Sequence, residues 1–189
     1  MDLLISASPF VAFAVLSRLA SAMIALWAAC ALALLCAIRG RRRGSIRVLD
    51  AGAVAMFVGL ALYTSASGRE WSLLGVYLAI DLGLLTVMLG SLAIGKPFTI
   101  QYARERVEPA LWNTPLFLSI NRRITLAWSL AFAIMCAADL LAMYVSSVPW
   151  PIDLLLVGFA IAGATWFTSW YPAHRRAAIR DRDRARSGA

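Results

Sequence analysis

Residues 19–43 read LASAMIALWAACALALLCAIRGRRR. The first part of this stretch, residues 19–38, contains no charged side chain. Coiled as an α-helix, a run of that length matches the roughly 30 Å hydrocarbon layer of a bilayer. Arg39, Arg41, Arg42 and Arg43 follow at once. An apolar run closed by a basic block reads as a membrane-spanning helix with its basic flank in the cytoplasm.

Four more stretches have the same character. They cover residues 48–66, 73–94, 124–145 and 152–170, and Pro149 and Pro151 make a tight break before the last of them. The chain as a whole is 61% hydrophobic and 15% charged, with a mean hydropathy of +0.75. A soluble domain is nearer half apolar and a quarter charged, so composition agrees with the local reading. The expected fold is an all-α membrane protein, a bundle of about five transmembrane helices. Residues 1–172 form one transmembrane domain, and residues 173–189 form a basic cytoplasmic tail.

The N-terminal residues 3–16 are also apolar, but Pro9 interrupts them and Arg18 follows. A single helix from residue 9 to residue 38 would be about 44 Å long, well beyond the hydrocarbon layer. The expectation is a separate short helix, interfacial or re-entrant from the outer face, with a long tilted first span as the alternative. Asp2 stands where a signal peptide has its positive region, so the segment is expected to be retained.

Charge sets the orientation. Sixteen of the eighteen Lys and Arg residues fall in alternate connections. Five lie between residues 39 and 47, five between 96 and 123, and six between 175 and 186, whereas the opposite side holds Arg69 alone. The positive side is expected in the cytoplasm. Five spans then place the N-terminus outside and the C-terminus inside. Net charge +8 and a pI near 10.3 need no nucleic acid to explain them.

The longest connection, residues 95–123, reads GKPFTIQYARERVEPALWNTPLFLSINRR. Thr99 is placed to cap a short helix, and Glu108 precedes Pro109, where a helix tends to stop. Leu111, Trp112, Leu116, Phe117 and Leu118 are too apolar for a solvated loop. They predict a segment lying in the cytoplasmic interface, its basic groups on lipid headgroups. Lys96, Arg104, Arg106, Trp112, Arg122 and Arg123 are the candidate headgroup residues, and anionic phospholipids the expected partners.

Catalytic chemistry finds little support. His174 is the single histidine, and no glycine-rich phosphate loop, metalloprotease motif or nucleophile elbow is present. Cys30, Cys36 and Cys136 sit inside apolar runs with no neighbouring cysteine, as packing residues do. No catalytic, cofactor or metal residue is assigned. Charges inside spans weigh more, because a charge at the bilayer centre costs about 2.5–3.5 kcal/mol on insertion scales. Asp81 and Asp139 fall in the outer half of their spans, and Arg18 at the outer end of the first. They make either a polar site for a proton, ion or headgroup, or an Arg18–Asp pair. Asp50 and Asp153, near span ends, call for no special role. Gly52, Gly59, Gly83, Gly90 and Gly158 lie on small-residue stripes that let helices approach closely.

Four features carry a family resemblance. Pro9 and Phe10 open an apolar stretch ending in Arg18. Gly95, Lys96 and Pro97 close the third span. Trp112 leads to Asn121. Leu126, Ala127 and Trp128 open the fourth span, followed by Phe132, Cys136 and Asp139. In these the chain resembles the bacterial septation protein A family (intracellular septation proteins) and uncharacterised relatives of the same plan. That family carries an amide where this chain has Asp139. The resemblance implies a non-enzymatic inner-membrane protein of envelope integrity, membrane homeostasis or septation, with envelope or division proteins as partners. The alternative is a small transporter or channel using Asp81 and Asp139.

Overall fold

A computed structural model of the chain describes residues 2–42, 47–68, 72–145 and 150–187. Within them all regular structure is helical: α1 (Asp2–Leu19), α2 (Ala22–Arg42), α3 (Val48–Ser67), α4 (Leu73–Ala93), α5 (Thr99–Ala103), a 3-10 turn (Pro109–Leu111), α6 (Pro115–Tyr144) and α7 (Trp150–Ser187). Four helices, α2, α3, α4 and α6, are long and apolar enough to cross a membrane. The chain is a helical, multi-pass membrane protein.

The packing order is α1 on α2, α2 on α3, α4 on α6 and α6 on α7. One core forms where α1 to α4 meet, around Phe13, Leu26, Phe57 and Ile80. A second, smaller one joins Ala131 and Met135 of α6 to Ala160 and Ala164 of α7. Small residues set the closest approach of α3 to α4. A Cβ on Gly83 would lie 2.6 Å from Met56 Sδ, and one on Gly52 would lie 3.4 Å from Val87. Among the described residues, nothing lies within 4 Å of that position at Gly59, Gly90 or Gly158.

The N-terminal segment departs from expectation. Residues 3–16 belong to an 18-residue helix, α1, which lies antiparallel along α2 instead of forming a separate short helix at the outer face. Its first turns meet the basic end of the bundle, where Cys36 Sγ approaches Ile5 O at 3.5 Å and Arg47 Nη1 donates to Ser6 Oγ at 3.5 Å. Its last turns meet the start of α4, where Ser17 Oγ and Tyr77 Oη lie 2.8 Å apart. Pro9 does not break it, for a local reason. Proline has no N–H for the carbonyl four residues back, and Ser8 Oγ donates to that orphaned Ile5 O at 2.7 Å.

The connection after α4 is a folded segment. Gly95 takes φ +71°, and its N–H and that of Lys96 close on Leu92 O and Ser91 O at 3.0 and 2.9 Å. That is a Schellman ending, which an αL glycine permits without strain. Ser91 Oγ then accepts the Phe98 N–H at 3.2 Å. Thr99 does not cap α5. It spans to α6, donating to Asn121 O at 3.0 Å with Thr125 Oγ1 2.9 Å away. Thr114 caps α6 by accepting the Phe117 N–H at 3.3 Å, with Pro115 at the first helical position. The helix thus starts before Arg122 and Arg123, and Phe117 turns inward at 7% exposed instead of lying in the interface.

Candidate functional site

Two buried polar centres result. The first unites two acids carried on membrane-length helices. Asp81 on α4 and Asp139 on α6 are both buried, and both carboxylates are within electrostatic reach of the Cys136 sulfur. The packing of α4 against α6 brings them together. Each makes at least one polar contact. The Arg18 side chain, their expected partner, lies outside the described residues.

The second centre sits at the basic end, among α1, α3 and α5, and it involves residues given no role from the sequence. Arg47, at the N-cap of α3, pairs with Glu105 at 2.5 Å and stands 5.3 Å above the Tyr102 ring. Gln101 Oε1 accepts the Val48 N–H at 2.9 Å, which satisfies one of the free donors at the start of α3. Asp50, in the first turn of α3, is 3% exposed, and its Oδ1 is buried with no hydrogen-bond partner. Tyr102 Oη is buried with no hydrogen bond of good geometry, and the Ser6 hydroxyl lies near enough to act on its ionisation. Burial pushes the Tyr102 hydroxyl up to about 12; Asp50 and Glu105 add to the rise, and Ser6 and Arg47 oppose it.

Sequence reading set Asp50 aside as a span-end residue. Its partners of circumstance come from positions more than forty residues away, a juxtaposition no local pattern encodes. The one available signal was the run of Gln101, Tyr102 and Glu105, polar side chains on a short helix and the turn that follows it, beside an apolar bundle.

The headgroup candidates lie on the segment after α4 and in the first half of α6. Lys96, Arg104, Arg106, Arg122 and Arg123 are all exposed. The Arg104 guanidinium lies 5.0 Å over the Trp112 ring, whose Nε1 donates to Val107 O at 2.8 Å. Leu111 and Leu118 are exposed on the same segment, at 49% and 41%. On α7, Trp166, Trp170 and His174 stack in succession, at 5.2 and 4.8 Å between ring centroids. Trp71 lies outside the described residues, as do the side chains of Trp150 and Asp153. The three cysteines are buried and free, and among the described residues no three His, Cys, Asp or Glu side chains come together as a metal site.

No protein-family model, curated protein or solved structure matches the chain.

Proposed function

We propose that this is a non-enzymatic protein of the bacterial inner membrane whose folded cytoplasmic segment binds anionic phospholipids. In this role it supports envelope integrity, membrane homeostasis or septation, as the family resemblance implies. The observation that carries the lipid reading is the Arg104–Trp112 stack, held by the Trp112–Val107 hydrogen bond, on a segment whose other cations are exposed. An indole with an adjoining guanidinium suits the headgroup layer, where aromatic rings and cations both gather.

The proposal includes six spans instead of five. α1 is 18 residues, about 27 Å, enough to cross with slight thinning or flanking adjustment. It begins beside Arg47, at the end that basic residues assign to the cytoplasm. Both termini then lie in the cytoplasm, which revises the outside N-terminus expected from five spans. α7 provides the last crossing and carries the tail.

Anionic lipid binding is tested by purifying wild type, an Arg104→Gln/Arg106→Gln variant and a chain truncated after His174. Co-purified lipid and cardiolipin-dependent thermal stability are then measured. Each cation near an anionic leaflet contributes about 1 kcal/mol, so the double variant should bind roughly tenfold or more weakly. Wild-type retention by that variant, or complete loss on truncating the tail, sinks the reading. A second reading, a small transporter or channel, rests on the shared burial of Asp81 and Asp139. It predicts ion or proton flux in proteoliposomes that Asp81→Asn abolishes.

A further inference from the structure

The polar centre at the basic end has an unbalanced ledger of groups. Arg47 is engaged by Glu105 at 2.5 Å, so that pair is neutral by itself. Asp50 has no ion pair and no hydrogen bond on Oδ1, though it is 3% exposed. Its place in the first turn of α3 gives it the favourable end of the helix dipole, yet supplies no donor to that oxygen. A buried carboxylate oxygen left without a partner is costly. Two further oxygens lie close by. Tyr102 Oη is buried and unpartnered, and Ser6 Oγ is in a side chain 1% exposed that faces both Tyr102 and Arg47. Three elements, α1, α3 and α5, thus direct one carboxylate and two hydroxyl oxygens to the same region.

We propose that Asp50, Tyr102 and Ser6 form a binding site for a compact monocation, an alkali-metal ion or a primary ammonium. The donor set decides the class. Hard oxygen ligands with a single carboxylate suit a singly charged ion, whereas a divalent or transition ion draws on several carboxylates or on nitrogen and sulfur. A primary ammonium offers three donors and no acceptor, which matches three oxygens. A lipid with an ethanolamine headgroup would deliver such an ammonium at this depth; sodium or potassium would come from the cytoplasm.

The test uses full-length protein, delipidated in a maltoside detergent. Thermal midpoints are followed against sodium, potassium, ethanolammonium and choline chlorides at matched ionic strength. Choline serves as the bulky control. At least one compact cation should raise the midpoint saturably while choline does not. Asp50→Asn should abolish that saturable rise. Tyr102→Phe, which removes one oxygen and leaves the ring, should weaken the apparent affinity roughly tenfold. A response to ethanolammonium alone assigns the site to a headgroup amine, and a response to an alkali ion assigns it to the inorganic cation. Identical midpoints in all four salts overturn the proposal, as does an unchanged response in Asp50→Asn. If the Asn variant cannot be purified, wild-type affinity in Tyr102→Phe overturns it equally. The measurement contains no anionic lipid, so its failure leaves the Arg104–Trp112 surface untouched.

Discussion

Phe57→Ala should detach α1 from the bundle without unfolding the rest. Phe57 is fully buried, and its ring lies 5.2 Å from Phe10 and 6.0 Å from Phe13, both on α1. Phe13 in turn meets Tyr77 of α4 edge-on at 5.7 Å. Truncation leaves a cavity of roughly 100 Å³, and at about 24 cal/mol per Å³ that costs ~2.4 kcal/mol. Two lost aromatic pairs add ~0.5–1.5 kcal/mol each. The transfer term is smaller than in a soluble core, since lipid is about as apolar as the protein interior. The expected loss is therefore about 3–5 kcal/mol, measured as a shift in SDS-induced unfolding in mixed micelles. A local readout accompanies it. Cys36 is covered by the first turns of α1, through Ile5 O and Ser8 Oγ, so loosening α1 should speed its reaction with a membrane-permeant maleimide. Leu126→Ala, at a side chain 48% exposed, is the control and should cost below ~0.5 kcal/mol. If Phe57→Ala unfolds within ~0.5 kcal/mol of wild type and Cys36 reacts no faster, α1 is not held by this aromatic cluster.

Other outcomes are equally definite. A reporter active only in the periplasm should be silent when fused before Met1 or after Ala189 and active when inserted between Ala20 and Ser21; activity at the N-terminus would restore the five-span topology. Tyr102 should ionise near pH 12 rather than 10, seen as the phenolate absorbance missing from Tyr102→Phe. Because the unfolded chain gives up this proton first, the stability contribution is present below pH 10 and is lost between 10 and 12; a Phe variant with the same alkaline loss as wild type would refute the assignment. Thr168→Val removes the acceptor of the Trp128 Nε1 hydrogen bond between α6 and α7, 3.0 Å long. It should cost about 0.6–1.7 kcal/mol, and a neutral result would place the α6–α7 contact in the Ala131–Ala164 packing alone.

The sequence exposed what depends on composition and short range. Apolar runs of spanning length located α2, α3 and α4 within a few residues and the end of α6, whose start lies nine residues before the expected span, because a bilayer filters sequence by hydropathy. It misjudged α1 because Pro9 was taken as a break. The compensation by Ser8 is local and visible only when the helix is built. Thr99 was read as a cap since caps are short-range, whereas its hydroxyl is drawn to Asn121, twenty-two positions on. Asp81 and Asp139 were singled out as costly charges, and packing of α4 on α6 does bring them together. Asp50 was passed over for the opposite reason. Near a span end it looks inexpensive, and burial by Tyr102 and Ser6 comes from elements distant in the chain.

The way the basic end is fastened bears on which basic cluster selects its ligand. α5 is attached on both sides. Thr99 ties its start to α6, Gln101 ties it to the head of α3, and Glu105, two residues beyond its end, pairs with Arg47. Arg104 and Trp112 therefore hold fixed positions relative to the spans before any lipid arrives, and little ordering entropy remains to be lost on binding. Charge alone attracts any anionic leaflet, whereas a preorganised guanidinium and indole can distinguish one headgroup from another. On the proposed lipid reading, selectivity belongs to the segment after α4, and the charge of the tail adds a long-range attraction that salt screens.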